Sequence, residues 1–341
     1  MQMRDDLGIT TKLENGKAYL EFALPEKIGR LLSALQIEIW EGAEGERLVF
    51  HGEYSSEEAD FMTALLLRPH LWDGMRDPYV YLVKAQGRFR TMEDGEKTGG
   101  TRNEEESDPA EDITEAEDVY WQQKLAIYDV RVIDKKGIFL NEKEFLLREV
   151  SYRLPPQISD VGTQEAQMKR DLERLARLGV NAIRLEETGS GAEGQDRCEV
   201  RAFYSLCRRR GFLTGDLWIR PEILPVYRGL PGETTCQALL AADGRTLTER
   251  YYYYQAKWSS EPVLYPVLST LHRQENGLLS LTIYSNQKKV VLYVEGVLFL
   301  FQSAASGDPE FIFEDIPVAK LPLHLAAEAG NLSISLTVTK L

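Results

Sequence analysis

Apolar and polar residues alternate with a period of two through most of the first ninety positions. ITTKLENGKAYLEFAL carries Asn15-Gly16 between alternating flanks, a pair suited to the positive-φ positions of a tight hairpin turn. In ALQIEIWEG, Leu35, Ile37 and Ile39 alternate with Gln36 and Glu38. GERLVFHGEY, FMTALLLR and the Tyr/Val run after RPHLWDGMRDP continue the pattern. Strands this short, bounded by turn residues, predict an antiparallel sandwich. The alternation stops near position 91 and resumes at VYWQQKLAIYDVRVID, so 91–118 reads as a long, solvated, disordered hairpin loop.

The period then changes. After the short strand in KEFLLREVSY, TQEAQMKRDLERLARLG places Ala166, Met168, Leu172, Leu175, Ala176 and Leu178 at helical spacing, with Thr163 as N-cap and Gly179 as stop. VNAIRLEE reads as a strand, EVRAFYSLCRRRG as a helix ended by Gly211, and FLTGDLWI as a strand. The order β-α-β-α-β implies parallel strands joined by crossovers. Residues 220–248 show no clear period, and TERYYYYQAKWSS reads as an aromatic helix. From about Pro262, LLSLTIYSN, KKVVLYVEGVLFLFQS, EFIFEDIPV, LPLHLAAE and NLSISLTVTK predict a second small sandwich.

With 341 residues, 43% of them hydrophobic, the chain has material for two or three domains with sizeable cores. Acids outnumber bases 54 to 40, for a net charge of −14. Residues 93–118 alone hold twelve acids and two bases, or −10, so the acidity belongs to one stretch. An acidic chain is a poor partner for nucleic acid or an anionic membrane. There is neither an 18-residue apolar run nor an N-terminal apolar h-region, and the chain reads as cytoplasmic, or as a fragment without its export signal. Cys198, Cys207 and Cys236 form no CxxC pair, and His51, His70, His272 and His324 are scattered, so neither a metal site nor a cofactor is expected.

At this level the residues resemble a family. GIFLNEKEFLLREVSYR is similar to the start of the catalytic barrel of family 2 glycoside hydrolases, with Leu140-Asn141-Glu142-Lys143 at an LNGK-like turn. Asp171, Leu172, Gly179, Asn181 and Arg184 match that family's next helix and strand; Phe203, Tyr204, Leu206, Cys207 and Gly211 match the helix after it. Upstream, Pro69, Leu71, Trp72, Pro78, Tyr79, Tyr81 and Leu82 resemble the immunoglobulin-like domain that precedes the barrel. Downstream, YYYYQAKWSSEPVLY resembles the barrel's last helix, and Tyr284-Ser285-Asn286 with Val291–Gly296 an added C-terminal β-domain. The resemblance implies a multidomain α+β chain: an immunoglobulin-like β-sandwich over 1–136, a truncated (β/α) barrel remnant over 137–262 and a C-terminal immunoglobulin-like β-sandwich over 263–341.

The departures from the family fall where its chemistry lies. A (β/α)8 barrel takes about 250 residues, whereas Ile138 to Leu268 supplies 131. The pattern gives three strands, and the segment for strands four to seven is missing between Trp218 and about Arg245. The family's acid/base Glu ends strand four in an Asn-Glu pair and its nucleophile ends strand seven. The Asn-Glu pairs here are Asn103-Glu104, in the acidic loop, and Asn141-Glu142, in the barrel-start turn. No catalytic residue is therefore assigned. The expectation is an inactive remnant that binds carbohydrate or acts as a scaffold; the alternative is an active, β-galactosidase-like glycosidase, alone or completed by a partner chain. A homodimer or a partner chain is expected to cover the open β/α sheet.

Glu186, Glu187, Asp216 and Trp218, at or just after the C-terminal ends of predicted strands, are the candidate binding residues, and Glu149 lies in the first of those strands. Retaining glycosidases hold two carboxyls about 5–5.5 Å apart, and adjacent parallel strands offer Glu186 and Asp216 as such a pair; the competing reading is solvated strand-end acids. Gly189–Gly194 spells GxGxxG with Asp216 22 residues on, the spacing of a dinucleotide fingerprint. Glu186, Glu187 and Glu193 oppose a pyrophosphate there, which favours a plain flexible loop. Tyr251–Tyr254 with Trp258 offer a sugar-stacking platform, although Tyr251, Tyr254 and Trp258 share one helical face, as core residues do. Arg208–Arg210 suit a helix C-terminus, and Cys207 reads as buried and inert.

Overall fold

The computed structural model describes residues 7–24, 32–55, 62–91, 114–153, 161–185, 197–214, 224–226, 238–241, 243, 245–305 and 307–340. The chain forms two compact units, Met1–Leu146 with Arg197–Gly211, and Leu147–Asp196 with Phe212–Leu341. Most of the described residues are strand, in several antiparallel sheets, with few helices.

The first unit begins with β1 (Gly8–Glu14) and β2 (Lys17–Ala23), joined at Asn15 (φ 52°) and Gly16 (φ 72°), the two-residue turn that the Asn-Gly pair predicts. Then come β3 (Leu32–Glu41), β4 (Arg47–Ser55), β5 (Thr63–Leu67), β6 (Tyr81–Thr91) and β7 (Thr114–Leu125). Sheets of order β1-β2-β5 and β4-β3-β6-β7 contribute Leu20, Ile37, Leu66, Val83 and Trp121 to one core. Leu35, Ile37 and Ile39 are all buried, as their alternation requires. β7 starts inside the stretch expected to be loop. Thr91 pairs with Thr114 and Arg88 with Asp118, where Arg88 Nε lies 3.4 Å from the carboxylate. The acidic residues at this end of β7 hid the strand, because they interrupt the apolar alternation by which a strand is read. Residues 92–113 of that expected loop lie outside the described residues. β8 (Val130–Ile133), β9 (Gly137–Leu140) and β10 (Lys143–Glu144) form a small meander.

Next in the chain are β11 (Glu149–Tyr152), α1 (Val161–Leu178), β12 (Ala182–Leu185), α2 (Arg197–Arg209), β13 (Leu213–Thr214) and β14 (Leu224–Pro225). α2 belongs to the first unit; the other five belong to the second. β13-β12-β11-β14 is a parallel sheet, so a fourth strand joins the three expected. β14 escapes a sequence reading because it has two residues, one of them Pro225, which cannot donate to a ladder. Val226 supplies the donor instead, its N–H reaching Ser151 O at 2.9 Å.

α1 starts at Val161, two residues before the expected Thr163 cap, and Ala176 faces solvent rather than the core. Leu172, Leu175 and Leu178 are buried as expected. Gly179 (φ 90°) ends the helix. Its N–H reaches Ala176 O and that of Val180 reaches Leu175 O, both at 3.0 Å, a Schellman cap. A Cβ at Gly179 would stand 2.5 Å from Trp258 O, so glycine is required on two counts. α3 (Glu249–Trp258) is capped by Thr248, whose hydroxyl accepts from Tyr251 N–H and donates to Ala238 O at 2.8 Å.

The C-terminal strands are β15 (Leu264–Arg273), β16 (Leu279–Ser285), β17 (Lys289–Val294), β18 (Val297–Ser303), β19 (Glu310–Ile316), β20 (Leu323–Ala329) and β21 (Leu332–Val338). Sheets β15-β16-β19 and β18-β17-β20-β21 share a core of Leu281, Ile283, Leu292, Phe311, Phe313 and Leu325. β18 is an edge strand on which Val297, Leu298, Leu300 and Phe301 are exposed. Lys289 Nζ sits 4.0 Å from the Phe301 ring centre, and Gln302 Nε2 donates to Ile312 O. Among the described residues no helix is long and apolar enough to cross a membrane.

Candidate functional site

Because β11 to β14 run in one direction, their C-terminal ends at Tyr152, Leu185, Thr214 and Pro225 fall on one edge of the sheet. In parallel β/α sheets that edge carries binding and catalytic groups. Glu186 and Glu187 directly follow β12, and Asp216 and Trp218 follow its neighbour β13. All four lie outside the described residues, as does the glycine stretch 189–194. Glu149 opens β11 and so stands at the opposite end of the strand from that edge.

The motif residues around this sheet form a polar framework. Asp171 is fully buried; its carboxylate accepts from Tyr152 Oη and Gln167 Nε2, each at 2.9 Å, and Arg174 Nη1 lies at 3.5 Å. Asn181 Oδ1 accepts from Arg148 N–H at 2.8 Å, and the Arg148 guanidinium donates to Trp258 O. These bonds tie β11 to α1, to the start of β12 and to the end of α3.

The motif residues of the first unit are structural in the same sense. Trp72 is fully buried and donates from Nε1 to Arg208 O at 2.8 Å. Asn141 (φ 49°) donates from Nδ2 to Trp72 O at 2.9 Å and accepts from Asp129 N–H at 3.1 Å. His70 stacks on Tyr79 with ring centres 3.9 Å apart, and its Nε2 is 2.6 Å from Asp77. Arg208 and Arg209 close α2, and Cys207 is fully buried, its thiol pushed up by desolvation into an inert state.

The tyrosine run divides by role. Tyr251 is core: it is buried, its hydroxyl donates to Arg174 O at 3.1 Å, and burial pushes that phenol up to about 12. Tyr252 stacks on Tyr265 with ring centres 3.7 Å apart. Tyr254 packs on Trp258 at 4.5 Å. Tyr253 and Tyr254 line a cleft of about 610 Å³ together with Glu249, Arg250, Tyr284 and Glu310. Burial and Asp308 raise the Glu310 carboxyl. Glu249 instead accepts from Ser269 N–H at 3.0 Å and from its hydroxyl. Arg250 and Glu310 belong to no motif, and only the fold brings them beside the tyrosines. A second cleft, of about 630 Å³ in the first unit, is lined by charges such as Arg131 and Asp129 that already pair at 2.6 Å. Among the described residues no group of three or more His, Cys, Asp or Glu is placed to hold a metal.

No protein-family model matches the sequence, and no curated protein matches it. Solved structures do match. An FMN-binding β-glucuronidase from Facaelibacterium prausnitzii L2-6 superposes with a TM-score of 0.64 at 15% identity, over 99% of this chain and 74% of that one. β-Glucuronidase 2 of Bacteroides uniformis gives 0.60 at 13% identity, over 98% of this chain and 61% of that one. A β-glycosidase from Bacteroides vulgatus gives 0.62 at 11%, over 98% and 64%. The structural neighbours are glycoside hydrolase family 2-type enzymes, and what this chain shares with them is the fold.

Proposed function

We propose that the chain is a glycoside hydrolase family 2-like protein that has lost catalysis and works as a carbohydrate-binding or scaffolding module. Its parts are an immunoglobulin-like sandwich over 1–136, a truncated β/α domain over 137–262 and a C-terminal sandwich over 263–341. The observation that carries the reading is one of length. The chain aligns almost end to end with β-glucuronidases, yet 131 residues from Ile138 to Leu268 stand where a full barrel takes about 250. Both family carboxylates belong to strands this interval cannot encode. A four-stranded parallel sheet also favours a covering partner, a second copy or another chain, because such sheets are normally buried on both faces.

The second reading, an active glycosidase, draws on Glu186 and Asp216, which follow the adjacent strands β12 and β13. A panel of aryl β- and α-glycosides, including galactosides, glucuronides and mannosides, decides between the two. The proposal expects no turnover above background at high protein concentration. Turnover that co-purifies with the chain and disappears in Glu186→Gln or Asp216→Asn would overturn it.

A further inference from the structure

Tyr253 stands at a steep angle to each of the two other rings of the α3 cleft. Tyr253 meets Tyr254 at 5.3 Å and 86°, and Tyr284 at 5.4 Å and 77°. They make an aromatic corner rather than a packed stack. The fold spends the hydroxyl of Tyr251 on a carbonyl, but among the described residues nothing hydrogen-bonds the hydroxyls of Tyr253, Tyr254 or Tyr284. Arg250 Nε is buried with no partner among the described residues, and its guanidinium lies 5.6 Å from the Tyr254 ring centre. The cleft's volume suits a small organic ligand.

We infer that this cleft, between α3, β16 and the start of β19, binds an uncharged pyranoside. The inference rests on the carbohydrate-binding reading above and gives it a site away from the strand ends of the parallel sheet. Ring carbons of tyrosine pack against the C–H face of a sugar. Phenols that donate and accept, a guanidinium that only donates and a carboxylate that accepts match a fringe of hydroxyls. The charges select against anionic sugars. A uronate would meet Glu249 and Glu310 in the lining, against Arg250 there and Lys257, whose Nζ lies 5.6 Å from the Tyr253 ring centre.

The test uses the full chain, titration calorimetry and saturation-transfer NMR. The probes are lactose, cellobiose, methyl β-D-galactopyranoside, methyl β-D-glucopyranoside and methyl β-D-glucuronide. At least one neutral probe is expected to bind, with the glucuronide weaker by about tenfold or more. Tyr253→Phe and Tyr284→Phe keep the rings and remove the hydroxyls, and each is expected to weaken binding by roughly three- to tenfold. Tyr252→Phe, outside the cleft, is expected to leave affinity unchanged, and equal melting temperatures report that all variants fold. Neutral-sugar binding at parental affinity in the Tyr253→Phe/Tyr284→Phe double variant would overturn the site while leaving the carbohydrate-binding reading standing. Preference for the glucuronide would overturn the charge argument. Failure of every probe to bind would overturn both the site and carbohydrate binding.

Discussion

Tyr152 donates its hydroxyl to the Asp171 carboxylate at 2.9 Å, and Asp171 is fully buried. The pair links the C-terminal residue of β11 to the middle of α1. A buried carboxyl group that loses a hydrogen-bond donor is costly, because water cannot replace it. Tyr152→Phe, which keeps the ring, is therefore expected to destabilise the fold by about 1.5–3 kcal/mol. Urea denaturation checks it; a change under about 0.5 kcal/mol would show that the hydroxyl adds nothing to the bonds from Gln167 and Arg174.

Glu142 holds φ at 68° in the two-residue turn between β9 and β10, beside Asn141 at 49°. The family pattern this turn resembles has glycine at that place. Relieving a left-handed residue is worth about 1–2 kcal/mol, and the greater freedom of unfolded glycine returns about 0.5–1 kcal/mol. Glu142→Gly is expected to stabilise the protein by roughly 0.5–1 kcal/mol. A lowered denaturation midpoint would show that the glutamate makes a compensating contact.

Asp243 accepts from Arg245 N–H and Thr246 N–H, each at 2.8 Å, and from the Thr246 hydroxyl. These bonds hold its carboxyl down at about 2, below the ordinary 3.8. A depressed folded value means that the carboxylate's contribution is complete above the unfolded value and is lost as pH falls through about 2. NMR titration of the Asp243 carboxyl carbon is expected to show that low midpoint in the parent and a higher one in Thr246→Val. A parental midpoint near 3.8 would mean that the turn does not persist in solution.

Where a single local rule decides, the sequence was legible. Asn15-Gly16 specified a two-residue turn, and the alternation of Leu35, Ile37 and Ile39 specified the buried face of β3. Gly179 and Gly211 marked helix ends because both take positive φ. β14 was not legible, since a two-residue strand containing proline has no period and exists only through its pairing with β11. The start of β7 was obscured by its charges. The cleft was half legible: the tyrosines stood out as a run, whereas Tyr284 and Glu310 arrive from strands beyond α3 in the chain. Periodicity assigned Tyr251 and Tyr254 to one face, but burial separates them, because the partners that cover Tyr251 lie on α1.

β18 gives the molecule an adhesive side. VLFLFQS contains neither charge nor proline, the usual guards of a sheet edge, and among the described residues no strand pairs with its outer row of peptide groups. Two copies laid antiparallel would meet without any like-charge clash along this strand. Repulsion between copies set by the net charge of −14 reaches only about 8 Å at physiological ionic strength but about 30 Å in dilute buffer. Added salt is therefore expected to shorten that repulsion and to leave the uncharged edge of β18 as the side on which copies can meet, which light scattering across a salt series checks.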